Sequence, residues 1–198
     1  MQKNSQLIIN LSLLLSKPTG ISNYAKNIFP YLKPLKPILL TSREYEDFDN
    51  YLISNNLTPE QGTKGHLRRL LWTQFKLSKI YQNLDSSLLF SPVPEIPLWS
   101  SCRSVVVVHD LIPLRFPNKA SPLYYYFKYY VPEVLRQAKH IICNSQATAE
   151  DIHNMLNIPS CKITPILLAH DNRNFRLLNS DQNINCLLYT SPSPRDRY

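Results

Sequence analysis

Four polar clusters in this chain each follow an apolar run, where side chains could hold a phosphate or move a proton. Pro18-Thr19-Gly20 comes after Leu7 to Leu15, His109-Asp110 after four valines, Asn144-Ser145 after Ile141 to Cys143, and His170-Asp171 after Ile163 to Leu168. Gly20 lets a ligand approach the backbone closely, and the free amides of a helix beginning at Ile21 suit a phosphate. A plain strand-to-helix turn explains the same residues, since neither G-x-G-x-x-G nor G-x-x-x-x-G-K-[ST] is present. His109 titrates near neutrality and can serve as acid, base or hydroxyl partner, with Asp110 orienting it or only closing a turn. Asn144 and Ser145 most simply cap the helix that carries Ala147, Ile152 and Leu156.

Positioning such groups requires alternating elements. The run Leu7 to Leu15 reads as a strand. Ile21, Tyr24, Ala25, Ile28, Phe29 and Leu32 then fall at helical spacing before Pro34 and Pro37 end the helix. Strands are expected at Ile38 to Thr41, Ser87 to Phe90, Val105 to Val108, Ile141 to Cys143 and Ile163 to Leu168. Arg43 to Asn55 reads as a polar helix or loop. Helices are expected from His66 to Leu84, from Ser121-Pro122 with a kink or break at Pro132, and after Asn144-Ser145. Apolar strands alternating with helices predict a doubly wound α/β domain with a mostly parallel sheet, whose ligands sit at the carboxyl ends of the strands.

The chain has 198 residues, 43% hydrophobic and 18% charged, with 16 prolines and 3 glycines. That composition excludes collagen-like, linker-like and disordered classes. No run reaches the roughly 20 apolar residues of a spanning helix, and no small-residue cleavage site follows the first run, so a cytosolic chain is expected. Cys102, Cys143, Cys161 and Cys186 lack metal-binding spacing and are expected as buried thiols; no metal is expected. The net charge of +8 favours anionic partners without choosing among nucleotides, nucleic acid and membrane.

From His66 to Leu84, the residues Leu67, Leu70, Leu71, Phe75, Leu77, Tyr81 and Leu84 predict one apolar stripe. Arg68, Arg69, Lys76 and Lys79 lie opposite with Trp72 among them, and no acid occurs in the segment. This face suits an anionic membrane surface, or it is simply solvated with Trp72 half-buried beneath arginine stems. The tyrosines 124, 125, 126, 129 and 130 could stack on bases, although their helical spacing favours packing. Cys186 to Tyr198 breaks the pattern in a Pro/Ser/Arg string that resembles adapter read-through, so residues 1–185 are expected to form the natural domain and 186–198 a non-native tail.

Pro18-Thr19-Gly20-Ile21-Ser22-Asn23-Tyr24, the run from Val108 to Pro117 (VHDLIPLRFP) and the stretch from Ala138 to Ser145 together resemble glycosyltransferase family 4, in order and approximate spacing. The resemblance covers roughly residues 6 to 175, and its most specific piece is typical of mannosyltransferase-like members. It implies the acceptor-side half of a two-domain GT-B enzyme, with the donor domain missing. The implied reaction transfers a hexose, with a leaning to mannose, from a GDP- or UDP-linked donor to a glycan or lipid-linked acceptor. Configuration would be retained and no metal cofactor used. By the same analogy Gly20 would lie beside the donor diphosphate, His109 would contact the transferred sugar at the reacting centre and Ser145 would line the cleft, with Thr19, Asp110 and Asn144 counted among the donor- or acceptor-binding residues.

Two departures stand out. Ala169-His170-Asp171 replaces the family's frequent Gly-Val-Asp, and the Glu-x7-Glu motif of the donor half is absent, so the chain alone is expected to be inactive. The competing expectation is a non-catalytic basic module for nucleic acid or an anionic membrane surface, marked by salt-dependent binding to arbitrary oligonucleotides.

Overall fold

The computed structural model describes residues 6–14, 19–57 and 62–169. Seven strands form one sheet in the order β3-β2-β1-β4-β5-β6-β7, with every neighbouring pair parallel. They are β1 (Leu7–Asn10), β2 (Ile38–Thr41), β3 (Asp49–Leu52), β4 (Leu88–Ser91), β5 (Ser104–Val108), β6 (His140–Cys143) and β7 (Ile163–Pro165). The doubly wound α/β class expected from the sequence is therefore observed. The order reverses at β1, where Ile8 pairs with Ile38 on one side and Leu89 on the other.

Side chains alternate across this sheet with the two-residue period of a strand. Leu7, Ile9, Leu39, Phe90 and Val107 pack against Ala25 and Phe29 on one face. Those core partners belong to helix α1 (Gly20–Ile28) and the 3-10 turn Phe29–Leu35 that follows it. Ile8, Leu40, Leu89, Val106, Val108 and Ile141 point the other way. They meet three helical layers, α2 (Gly62–Trp72) continuing into α3 (Ser78–Asn83), α6 (Val131–Gln137), and α7 (Gln146–Leu156). Burying each such Leu or Ile contributes about 1.5–3 kcal/mol, so the continuous apolar runs are what hold both layers to the sheet.

Several expectations needed correction. The segment from Arg43 to Asn55 contains the edge strand β3 and ends where the 3-10 turn Asn55–Leu57 begins. β3 is polar and largely exposed, which is why no apolar pattern marks it. The helix from Gly62 to Asn83 is interrupted by a π-turn at Thr73–Leu77. Its extra residue rotates the helix face, so one straight stripe cannot stay buried along the whole length. Leu67, Leu71 and Phe75 are consequently exposed at 59%, 50% and 69%, while Arg69, Thr73, Leu77, Ile80 and Tyr81 face inward. The break expected at Pro132 takes the same form, a π-turn at Tyr126–Tyr130 between α5 (Pro122–Tyr125) and α6, with Pro132 in the first turn of α6. Cys102 and Cys143 are buried as expected, but Cys161 is exposed. The expected tail at 186–198, the boundary at 185 and the pair His170-Asp171 lie outside the described residues.

Candidate functional site at the strand carboxyl ends

At the carboxyl side of β1, helix α1 begins with a reciprocal cap. The Thr19 hydroxyl accepts from the Ser22 amide at 3.4 Å, and the Ser22 hydroxyl accepts from the Thr19 amide at 3.4 Å. Two of the four amides that a helix start leaves without an intrahelical partner are thus satisfied locally, and the other two belong to the exposed Gly20 and Ile21. A Cβ placed at Gly20 would meet nothing within 4 Å. The glycine is therefore not needed for packing against the described residues.

One turn further along α1, the Tyr24 ring meets the His109 ring edge-on, with centroids 4.8 Å apart. His109 follows β5, and its Nε2 lies 3.0 Å from the Pro92 carbonyl at the end of β4. A carbonyl only accepts, so Nε2 carries the proton and donates. In the neutral ring, Nδ1 then keeps the lone pair. Burial lowers the His109 pKa below its ordinary 6.5, opposed by the Pro92 bond and the charge of Asp110. The imidazole is accordingly neutral at pH 7, a fixed donor at one nitrogen and an acceptor at the other.

The third cluster joins through Thr148. Ser145 caps α7 by accepting from the Thr148 amide at 3.1 Å, the two hydroxyls lie 2.9 Å apart, and the Thr148 hydroxyl donates to the His109 carbonyl at 3.4 Å. Gly20 through Tyr24, His109, and Ser145 through Thr148 are therefore linked around the carboxyl ends of β1, β4, β5 and β6. Asp110 does not hydrogen-bond His109. Its carboxylate accepts from the Ile112 amide at 3.1 Å and starts the short helix α4 (Ile112–Arg115), so it serves as a turn residue and a nearby charge. Asn144 stands beside Ser145, half-buried, and takes no part in the α7 cap.

Sequence reasoning missed two parts of this arrangement. Among the described residues, Asn10 Nδ2, Ser12 Oγ and Ser91 Oγ are buried without a hydrogen-bond partner. Asn10 and Ser91 end β1 and β4, the two strands flanking the reversal, where an uncompensated polar atom costs stability unless something else uses it. A polar residue closing an otherwise apolar strand was the available signal. The second is a clamp beneath the loop after β4. Arg69 Nε and one terminal nitrogen donate to the two Glu95 oxygens at 2.7 and 2.8 Å, both side chains being almost wholly buried. His66 Nδ1 lies 3.1 Å from Arg69, and Tyr130 donates its hydroxyl to the Ile96 carbonyl at 3.1 Å. Arg69 therefore cannot belong to the exposed basic face expected from the sequence. Trp72 also leaves that face, packing half-buried against the core, whereas Arg68, Lys76 and Lys79 are exposed.

The model of Glycosyltransferase Family 4 matches residues 18–169, a span that holds Gly20, Tyr24, His109, Ser145, Thr148 and the Arg69–Glu95 clamp. The chain belongs to glycosyltransferase family 4. No curated protein sequence matches it. Among solved structures it is similar to Alr3699/HepE of Anabaena in complex with UDP-glucose, with a TM-score of 0.55 and 14% identity over 92% of this chain and 48% of that one. The same Anabaena protein in complex with UDP aligns at a TM-score of 0.49 and 13% identity, over 85% and 45% of the two chains. This family 4 chain thus spans about half the length of the solved chains it matches, and at such identity the likeness is one of fold.

Proposed function

We propose that this protein is the acceptor-side half of a glycosyltransferase. The reaction moves a hexose, with mannose favoured, from a GDP- or UDP-linked donor to a glycan or lipid-linked acceptor at the cytosolic membrane face, with retention and without a metal cofactor. The observation that carries this reading is the linkage of Gly20, His109 and Ser145 around the strand ends, in a chain matched by family 4 from residue 18 to 169. The amides at Gly20 and Ile21 face the donor diphosphate, and the neutral His109 contacts a hydroxyl of the transferred sugar. Ser145 and Asn144 line the cleft. These groups act by positioning and by stabilising charge as it develops on the leaving phosphate. The 198-residue chain by itself provides one wall of that cleft and does not turn over.

Titration of the chain with GDP-mannose and with UDP-glucose, followed by amide and imidazole NMR shifts, tests the reading. Either sugar nucleotide is expected to move the Gly20 and Ile21 amides and the His109 ring, and H109A to weaken the effect. No shift there with either, together with salt-dependent binding to an arbitrary oligonucleotide, would instead establish the non-catalytic basic module.

A further inference from the structure

Two acid-free stretches, 62–84 and 111–132, form neighbouring helical segments on one side of the sheet. Gln74 donates to the Tyr130 hydroxyl at 2.9 Å, and the His66 and Tyr126 rings lie 6.5 Å apart, so the segments touch along their inner sides. Their outer sides are apolar in an unusual degree. On the first, Leu67, Leu71 and Phe75 are exposed four residues apart; on the second, Ile112, Phe116, Leu123, Tyr125 and Tyr129 are 47% to 73% exposed. The exposed cations Lys64, Arg68, Lys76 and Lys79 accompany the first group, and Lys119 and Lys128 the second. Lys128 Nζ lies over the Tyr124 and Tyr129 rings at 5.5 and 5.2 Å.

We propose that these two segments dock together on an anionic lipid bilayer, with Leu67, Leu71 and Phe75 entering the headgroup boundary and Tyr125 and Tyr129 lying at its level. This names the partner for the membrane contact in the reading above, and rests on that reading only for its purpose, not for its physics. Scattered exposed apolar residues are ordinary, but apolar residues repeating on one helix that also exposes Lys64, Arg68, Lys76 and Lys79, in a stretch without Asp or Glu, match an interfacial surface; the acids that meet the second segment, Asp110 at Ile112 and Asp151 at Arg115, lie at its α4 end. A second copy of the chain is disfavoured as occupant, because two such faces would bring like charges together. Single-stranded nucleic acid is recognised by aromatic side chains free to stack on bases, whereas here Tyr125 and Tyr129 stack on each other and the first segment exposes mainly aliphatic side chains, so nucleic acid is left as an outcome of the test.

Cosedimentation of the 198-residue chain with phosphatidylcholine vesicles, with and without phosphatidylglycerol, tests the inference. Binding is expected only with the anionic lipid. K64E/K76E/K79E should weaken it by about tenfold or more, given the attraction of each basic residue to such a surface. L67S/L71S/F75S should abolish stable binding while leaving the thermal midpoint unchanged, since all three side chains are exposed. Equal binding to both vesicles, unaltered binding by the serine variant, or a dimer or oligonucleotide complex that this variant dissociates would overturn it. The sugar-nucleotide shifts of Gly20 and His109 are read separately, so loss of vesicle binding with those shifts intact removes this inference alone.

Discussion

Arg69 and Glu95 face each other through two parallel charge-assisted bonds of 2.7 and 2.8 Å, and the pair is withdrawn from water. Burial alone would lower the arginine pKa, but the carboxylate's charge and hydrogen bond hold it above its ordinary value. The pair ties α2 to the proline-rich loop whose Pro92 carbonyl accepts the hydrogen bond from His109 Nε2.

Removing one partner leaves the other charge buried and unpaired. R69M or E95Q should each lower stability by about 3–5 kcal/mol, whereas R69M/E95L should recover most of that loss. Urea unfolding of the three variants checks this. Equal stability of all three with the parent would mean that the pair does not hold the loop.

His66 and His109, both partly buried, give stability a pH dependence. Burial lowers the pKa of His109, and burial followed by the Arg69 charge lowers that of His66. The unfolded chain then takes up protons near pH 6.5, ahead of the folded one. Stability is full above that value and declines as the pH falls through it towards the lowered folded values. H109Q and H66Q should each flatten the decline, measured as denaturation midpoints between about pH 7.5 and 5.

At the start of α1 the two neighbouring residues should behave oppositely. T19A removes the cap and should cost about 0.5–2 kcal/mol. G20A meets no atom of the chain and should leave stability unchanged or raise it by up to about 1 kcal/mol, because alanine is the better helix former. The same G20A should weaken the sugar-nucleotide shifts. Thermal melts paired with the titration separate the effects, and unchanged shifts would remove Gly20 from the donor site.

Ser91 tests the orphaned polar atoms. Its hydroxyl has no partner among the described residues, so S91A should leave stability within about 1 kcal/mol of the parent or raise it. A larger loss in thermal unfolding would show that the hydroxyl is satisfied in solution.

Much of the sheet was legible because strands buried on both faces must be apolar throughout, as Val105 to Val108 and Ile141 to Cys143 are. The Ser145 cap was legible for a similarly local reason, as a cap residue bonds three positions ahead. β3 was not, since an edge strand with exposed side chains needs no apolar pattern. The inward turn of Arg69 was hidden because its cause, Glu95, lies in a loop with no periodicity. The site was partly visible. His109 and Gly20 were marked by the elements they end or begin, but the roles of Tyr24, Pro92 and Thr148 arise from contacts between distant segments that no spacing encodes.

The central position of β1 bears on how the molecule is made. One edge of β1 pairs with β2, close by in the chain, yet its opposite edge has partners for Leu7, Ile8 and Ile9 only once the segment beginning at Leu88 is in place. Until that second edge is zipped, β1 carries an unpaired, greasy margin of the kind that seeds clumping in partly folded chains.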